Sequence, residues 1–231
     1  MPSPRDVGVV IVAAGRGERL GGSQPKQFLP IAGIPMLLRA IRPFACHAEV
    51  RQVAVVLPAG DAATPPGWLA PHVGDTLCVV AGGLERRDSV ALGLDALDAA
   101  CSIVLVHDAA RPFVSRDVLD AVIAGARAGE GAVPAVPVAD TLKQSGDGAR
   151  VERTVPRDGL WRAQTPQGFP RALLARAHAQ AKHDGVTGTD DAFLVERLGG
   201  SVRLVAGDPR NLKITTVEDL ALAEVLAEQF R

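Results

Sequence analysis

The chain has 231 residues, 47% of them hydrophobic, which suits one large α/β domain with a substantial core. Its net charge is −1 and only 3% of residues are aromatic, so it lacks the basic excess and the rings expected of a nucleic-acid binder. The three cysteines show no zinc or disulfide spacing. No signal peptide or membrane-spanning run is evident, so we expect a cytoplasmic protein without nucleic-acid or membrane partners.

Apolar runs and amphipathic segments alternate along the chain at the spacing of βαβ units. The first run, over 7–13, is typical of a strand buried on both faces of a parallel sheet. Similar runs predict strands over 52–57, 76–81, 102–106, 132–138, 201–205 and 212–214. Helical periodicity predicts helices over 36–45, 86–99, 117–128, 171–182, 191–198 and 217–229. The alternation predicts a doubly wound, mostly parallel α/β sheet in a single domain over 1–231.

One segment, over about 139–160, breaks this alternation. It is polar, has no helical period, and contains the turn sequence Ser145-Gly146-Asp147-Gly148 between two short extended runs. This pattern predicts a β-hairpin that projects from the sheet as an arm. A projecting hairpin in a small enzyme often packs on a second subunit. The alternative is a flexible surface loop.

A glycine-rich loop follows the first predicted strand, from Ala13 to Gly22. Its glycines let backbone N–H groups point into one concavity and hold phosphate oxygens. The loop lacks the Gly-Lys-Ser/Thr of a P-loop, and Leu20 stands where a dinucleotide fingerprint needs its third glycine. The nearby cations Arg19 and Lys26 favour a triphosphate site, because charge builds on a transferred phosphoryl group. The alternative for both cations is ordinary solvated charge.

An aspartate, Asp108, comes just after the predicted strand over 102–106. A carboxylate at this edge of a parallel sheet, where α/β proteins bind ligands, can hold Mg²⁺ beside phosphates. The alternative is a carboxylate that caps the next turn. The neighbouring His107 has no obvious partner carboxylate, and phosphoryl transfer needs little base catalysis, so we expect it to be structural.

Five short motifs follow one another along the chain: Ala13-Ala14-Gly15-x-Gly17-x-Arg19, Pro25-Lys26-Gln27, Gly82-Gly83-x-Glu85-Arg86-x-Asp88-Ser89-Val90, His107-Asp108-Ala109-Ala110-Arg111-Pro112 and Asn211-Leu212-Lys213-Ile214-Thr215. Together they resemble the IspD family of methylerythritol phosphate cytidylyltransferases, over about 7–227. The resemblance implies a Rossmann-like nucleotidyltransferase fold and transfer of CMP from CTP to methylerythritol phosphate. Leu84 departs from the family pattern, which often has a polar residue there.

The resemblance also assigns roles to individual residues. It places three catalytic cations on the CTP phosphates: Arg19, Lys26 and Lys213. It places the nucleotide against Ala13, Ala14, Gly15, Gly17, Gly83, Ser89 and Asp108. It places the polyol phosphate against Asp108, Arg111, Thr141, Arg157 and Thr165, and Mg²⁺ on Asp108. Because Thr141 and Arg157 lie on the predicted hairpin, it implies a homodimer in which this arm reaches the partner's active site.

Alternatives remain for residues and for function. Gly83 is alternatively a turn glycine, Ser89 a hydroxyl at a helix start, and Arg157 an ion-pair partner of Asp158. For function, the acceptor is alternatively ribitol phosphate, or the chain is a nucleotide-binding module without catalysis. A dehydrogenase is disfavoured by the missing third glycine and the missing ribose-binding acid.

Overall fold

The computed structural model describes residues 4–15 and 25–229. Twelve strands occur within these ranges: Val7–Val12 (β1), Pro30–Ile31 (β2), Ile34–Pro35 (β3), Val50–Leu57 (β4), Leu77–Ala81 (β5), Ile103–Asp108 (β6), Gly131–Pro137 (β7), Leu142–Gln144 (β8), Arg153–Val155 (β9), Trp161–Ala163 (β10), Gln167–Pro170 (β11) and Val202–Ala206 (β12). Eight of them form one central sheet, and the remaining four form two separate ladders, β2–β3 and β8–β9.

Seven α-helices occur in the same part of the chain: Met36–Ala45 (α1), Ala59–Ala63 (α2), Arg86–Ala96 (α3), Arg116–Arg127 (α4), Arg171–His183 (α5), Asp191–Arg197 (α6) and Val217–Ala227 (α7). None of the helices described is both long and apolar enough to cross a membrane. Most of them connect strands of the central sheet, as βαβ units require.

The central sheet is mixed but mostly parallel along its middle. The strands β5, β4, β1 and β6 are neighbours in that order, and each pair is parallel. Strand β11 pairs antiparallel with both β6 and β7, and β7 also pairs with β10 and, in parallel, with β12. The predicted doubly wound, mostly parallel α/β sheet is therefore confirmed.

Most of the core lies in two layers, one on each face of this sheet, and a third, smaller cluster includes Met36 and Phe113. Val9 and Ile11 of β1 pack into the layer that includes α1 and α4, whereas Val10 packs into the layer that includes α3, α5 and α6. Successive side chains of a strand point to opposite faces, so a strand covered on both sides must be apolar at every position. This explains why the first strand reads as an unbroken hydrophobic run.

Two predictions about secondary structure need correction, and two strands of the central sheet were not predicted. The predicted strand over 212–214 is wrong: this segment joins no ladder among the described residues, and the Ile214 N–H donates to the Ala110 carbonyl at 2.8 Å, outside any strand. The predicted helix over 86–99 ends at Ala96, because Leu97 is extended, with φ −74° and ψ 141°. Strands β10 and β11 were not predicted, because polar residues and Pro166 interrupt the pattern between them.

The segment over 139–160 forms the predicted antiparallel ladder. Leu142 of β8 lies opposite Val155 of β9, and the turn includes Gly148 with a φ of +71°, which favours glycine. Most residues of the segment are exposed. We refer to it below as the arm, and its contact with a second subunit stays a prediction.

Candidate active site

Loops from the carboxyl ends of β1, β5 and β6 meet at one edge of the sheet and enclose a cavity, here called the first cavity. Such edges are where open α/β sheets bind ligands. The residues that line the first cavity come from five separate segments of the chain and include Ala13, Ala14, Gly15, Lys26, Gly83, Ser89, Asp108 and Lys213. One wall is therefore glycine and alanine backbone, and the opposite wall carries two lysines and a carboxylate.

The wall after β5 requires glycine at Gly82 and Gly83. A Cβ on Gly83 would lie 2.4 Å from the Cβ of Asp88, and one on Gly82 would lie 2.5 Å from that of Ala14. The Gly83 N–H donates to the Ser89 hydroxyl at 3.2 Å, and Ser89 is only 2% exposed. The close approach of backbone to the start of α3 therefore shapes this wall, and Ser89 holds it from behind.

Two lysines from distant parts of the chain meet across the first cavity. The Lys26 ammonium donates to the Ile214 carbonyl at 3.2 Å, next to Lys213 in sequence. The Lys213 ammonium lies 2.8 Å from Oδ2 of Asp108. The turn that carries Lys26 is tied to the end of β1, because the Gln27 amide donates to the Ala13 carbonyl at 2.6 Å. Both cations thus line the first cavity together with Ala13, Ala14 and Gly15.

Asp108, the last residue of β6, is the main carboxylate of this edge. Its side chain is 14% exposed, and its Oδ1 lies 3.6 Å from the Arg86 guanidinium. Burial alone raises the pKa of this carboxyl, but the charges of Arg86 and Lys213 outweigh burial and lower the pKa to about 2. Asp108 is therefore ionised at neutral pH and stands between two cations.

A second cavity adjoins the first and shares three residues with it: Arg86, Asp108 and Lys213. Its other wall includes Arg111 and Thr165. The Arg111 guanidinium donates to the Asn211 carbonyl at 2.7 Å, and the Thr165 hydroxyl accepts from the Asp108 N–H at 3.0 Å. An arginine and a hydroxyl beside the three residues that the two cavities share suit a phosphate monoester.

His107 holds the second cavity together from inside the core. Its Nε2 lies 2.9 Å from the Arg111 carbonyl, which can only accept, so Nε2 carries the hydrogen and Nδ1 accepts from the Thr165 hydroxyl at 3.1 Å. Burial lowers the pKa of His107 to about 4, so the ring is neutral at pH 7. Phe44 packs on the ring, with centroids 4.9 Å apart. These contacts match the structural role that the sequence suggested.

Comparison with known proteins identifies the family. The profile described as IspD, 2-C-methyl-D-erythritol 4-phosphate cytidylyltransferase, matches residues 7–229. A protein of that name from Symbiobacterium thermophilum is 47% identical, over 96% of this chain and 93% of its own. The chain belongs to the IspD family. The bifunctional IspD/IspF of Rhodospirillum rubrum is 48% identical, over 95% of this chain and 56% of that protein.

The same family appears among solved structures. The crystal structure of 2-C-methyl-D-erythritol 4-phosphate cytidylyltransferase from Thermus thermophilus matches with a TM-score of 0.82 and 41% identity, over 96% of this chain and 99% of that chain. A second IspD structure, from Francisella tularensis, matches with a TM-score of 0.81 and 28% identity. The chain is therefore a cytidylyltransferase with an IspD fold.

The described residues that the sequence assigned to CTP come together. All eight line the first cavity: Ala13, Ala14, Gly15, Lys26, Gly83, Ser89, Asp108 and Lys213. The other two assigned residues, Gly17 and Arg19, lie outside the described residues. Of the residues assigned to the acceptor, Asp108, Arg111 and Thr165 line the second cavity. Leu84, the departure from the IspD pattern, is fully exposed at the wall of the first cavity.

Thr141 and Arg157 are the acceptor residues that this chain does not bring to its own cavities. Both are exposed on the arm, and neither lines the first or the second cavity. The Arg157 guanidinium donates to the Ala139 carbonyl, and among the described residues it forms no ion pair with Asp158. The arm therefore presents an arginine and a threonine away from the cavities that contain their assigned partners.

The structure adds residues that the sequence did not assign. Arg86 lines both cavities, although the sequence gave it no role within its motif. Gln164 and Asn211 form a buried pair behind the second cavity: the Gln164 amide donates to the Asp208 carbonyl at 2.8 Å, and the Asn211 amide donates to the Thr165 carbonyl at 2.8 Å. The signal available in the sequence was position: Gln164 directly precedes Thr165, and Asn211 is the first residue of the last motif.

Proposed function

We propose that the two cavities divide the IspD reaction between them, with CTP in the first and the polyol phosphate in the second. The reaction transfers CMP from CTP to 2-C-methyl-D-erythritol 4-phosphate in isoprenoid precursor biosynthesis. The observation that carries this division is the junction: both cavities open onto Arg86, Asp108 and Lys213. A reacting phosphate in each cavity would meet the other there, as an in-line displacement requires.

The bond changes follow from this arrangement. A phosphate oxygen of the acceptor attacks the α-phosphorus of CTP and forms a new P–O bond. The bond between the α-phosphorus and the bridging oxygen breaks, and pyrophosphate leaves with that electron pair. The products are the CDP-polyol and pyrophosphate, and no covalent enzyme intermediate forms. The protein contributes position and charge, because phosphoryl transfer leaves it little covalent chemistry to do.

Lys26 and Lys213 carry most of this charge stabilisation in our proposal. Their ammonium groups are fixed by the Ile214 carbonyl and the Asp108 carboxylate, so they need little rearrangement when negative charge develops. We assign Arg19 to the same task from its motif. Ala13, Ala14 and Gly15 present backbone to the nucleotide, and Gly83 and Ser89 shape the wall against which the nucleoside lies.

Mg²⁺ fits this site as an ion held by one carboxylate and the substrate phosphates. Among the described residues no cluster of three histidine, cysteine or acidic side chains could hold a metal ion. The ionised Asp108 supplies the single carboxylate that a phosphate-bound Mg²⁺ ordinarily uses. When bound, the ion neutralises charge on the triphosphate.

The acceptor's phosphate is bound by Arg111 and Thr165 of one chain and by Thr141 and Arg157 of a second chain, which makes the enzyme a homodimer. Support comes from three large hydrophobic residues that are exposed on the arm and directly after it: Val151, Leu160 and Trp161. Exposed hydrophobic patches commonly mark protein contacts. We further expect the dimer to work in the cytoplasm.

Pyrophosphate release tests the proposed function. The purified chain is incubated with Mg²⁺ and each pairing of CTP, ATP, GTP or UTP with methylerythritol phosphate or ribitol phosphate. Rapid release only with CTP and methylerythritol phosphate is the expected result. Release with ribitol phosphate instead would move the error to the acceptor residues, and CTP binding without release for either acceptor would indicate a nucleotide-binding module.

A further inference from the structure

Arg86 occupies an unusual position at the first residue of α3. Its side chain is 31% exposed and lines both the first and the second cavity. Its guanidinium lies between two carboxylates, Asp191 and Asp108, which come from different elements. A guanidinium is planar and rigid, so the direction of one nitrogen fixes the direction of the other.

The buried side of Arg86 is anchored from behind the site. Its Nη1 donates to Oδ2 of Asp191 at 2.8 Å, and Asp191 is 1% exposed at the first turn of α6. The other oxygen, Oδ1, accepts from Nε2 of His178 on α5 at 2.9 Å. Burial raises the pKa of Asp191, but Arg86 and His178 outweigh burial and lower it. Both carboxylate oxygens are therefore held, and Asp191 is a fixed anion.

The cavity side of Arg86 meets the carboxylate at the junction. Its Nη2 lies 3.6 Å from Oδ1 of Asp108, whose other oxygen is 2.8 Å from Lys213. Asp108 is thus held by one cation on each oxygen. Its orientation depends on Arg86, and the orientation of Arg86 depends on Asp191, which touches neither cavity.

We propose that Arg86 is a positioning residue of the transfer reaction, anchored by Asp191 and His178 and acting through Asp108. This inference rests on the proposed function, because it assigns the task of orienting the junction to the series of side-chain contacts that links His178 to Asp108. The competing explanation is that Arg86 and Asp191 only tie α3 to α6 and contribute stability. The two explanations differ in whether loss of the anchor lowers turnover in a protein that remains folded.

The chain offers a matched control for such a test. Arg127 also bridges two carboxylates, Asp6 at 2.6 Å and Glu49 at 2.7 Å, and its side chain is 29% exposed. It lines neither cavity. The substitutions Arg86→Lys and Arg127→Lys each keep the positive charge and remove the guanidinium fork. Comparing them separates the general effect of losing an arginine that bridges two carboxylates from the effect of losing one at the junction.

The experiment measures kcat, both KM values and thermal melting for wild type, Arg86→Lys, Arg127→Lys, Asp191→Asn and the double variant Arg86→Lys/Asp191→Asn. Wild-type activity is established first, since its absence would overturn the proposed function rather than this inference. We expect Arg86→Lys to lower kcat by roughly 10- to 100-fold, as loss of a supporting contact typically does, and Arg127→Lys to leave kcat unchanged.

The double variant separates positioning from stability. We expect Asp191→Asn to lower kcat about 10-fold in the wild-type background and much less in the Arg86→Lys background, because the anchor has lost the fork that it positions. Equal costs in both backgrounds, or an Arg86→Lys enzyme that turns over as fast as Arg127→Lys, would overturn the proposal. If Asp191→Asn fails to fold, the two Arg→Lys variants decide between the explanations alone.

Discussion

The edge of the sheet and the arm show opposite kinds of organisation. At the edge, Lys213 lies 2.8 Å from an Asp108 that is 14% exposed, and the surrounding groups are tied to distant parts of the chain. On the arm, three-residue strands pair only with each other, and Thr141 and Arg157 are exposed. An isolated two-stranded hairpin is marginally stable in water. The cavity that we assign to CTP is therefore preorganised within one chain, whereas the role that we propose for the arm requires a surface on a second chain.

The largest effect is expected at the preorganised edge. Lys213→Ala removes the cation between the two cavities, so we expect kcat/KM to fall by about 100- to 1,000-fold, the usual cost of one preorganised electrostatic contact. The control is Lys182→Ala, an exposed lysine on α5, which should leave kcat/KM unchanged. Pyrophosphate release at saturating CTP is measured for both variants. Near-normal turnover of Lys213→Ala would show that the edge does not carry the charge stabilisation.

A smaller and more selective effect is expected on the arm. Arg157→Ala should lower kcat/KM for the polyol phosphate by roughly 10- to 100-fold, since a hydrogen bond to a charged group contributes about 1.5–3 kcal/mol. The KM for CTP should not change, because Arg157 lies outside the first cavity. Arg153→Ala, whose guanidinium bonds Gln144 across the same ladder at 2.8 Å, is the matched control. A raised KM for CTP in Arg157→Ala would contradict the division between the cavities.

The glycine wall of the first cavity allows a sharper comparison within the edge itself. Gly83→Ala places a Cβ 2.4 Å from the Asp88 Cβ, and relieving such overpacking typically costs about 1–3 kcal/mol. We expect the KM for CTP to rise about 10-fold, because the backbone must move into the cavity. Gly60→Ala in α2, where a Cβ meets nothing within 4 Å, should leave the KM unchanged. Titration calorimetry with CTP would check the binding change directly.

The smallest effect concerns pH and His107. Its pKa is about 4 in the folded chain and 6.5 ordinarily, so below pH 6.5 the unfolded chain binds the proton more readily and folding loses stability. Between about pH 7.5 and about pH 5 this costs about 2 kcal/mol. Urea unfolding at the two pH values should show a shallower pH dependence in His107→Gln than in wild type. An identical slope in both proteins would mean that His107 is not buried and neutral.

Much of the fold follows from local sequence patterns. The strand pattern of 7–13 needs only its own apolar residues, since burial on both faces leaves no polar position. The segment over 212–214 has the same composition as a short strand but pairs with no strand in the described part of the chain, and no local pattern shows that. Strands β10 and β11 could not be predicted, because the local pattern is interrupted around Pro166. They form through pairing with β7, which is long-range.

The candidate site divides in the same way, into residues that local motifs indicate and contacts that depend on long-range packing. Gly83, Asp108 and Lys26 could be identified because each lies in a short motif at the end of a predicted strand or loop. The contact between Arg86 and Asp191 joins residues 105 positions apart, and it depends on how α6 packs against the start of α3. Tertiary packing decides such pairs, so motif reading alone could name Arg86 but not its contact with Asp191.

Mixing two variants that are each impaired in a different part of the site tests the central claim most directly. Lys26→Ala and Arg157→Ala chains with different tags are co-expressed, mixed dimers form at random, and pyrophosphate release with CTP and methylerythritol phosphate is measured. If the arm completes the partner's site, half of the dimers are mixed and each has one intact site, so we predict about a quarter of wild-type activity. Activity no higher than that of the two separate variants would contradict a site shared between chains.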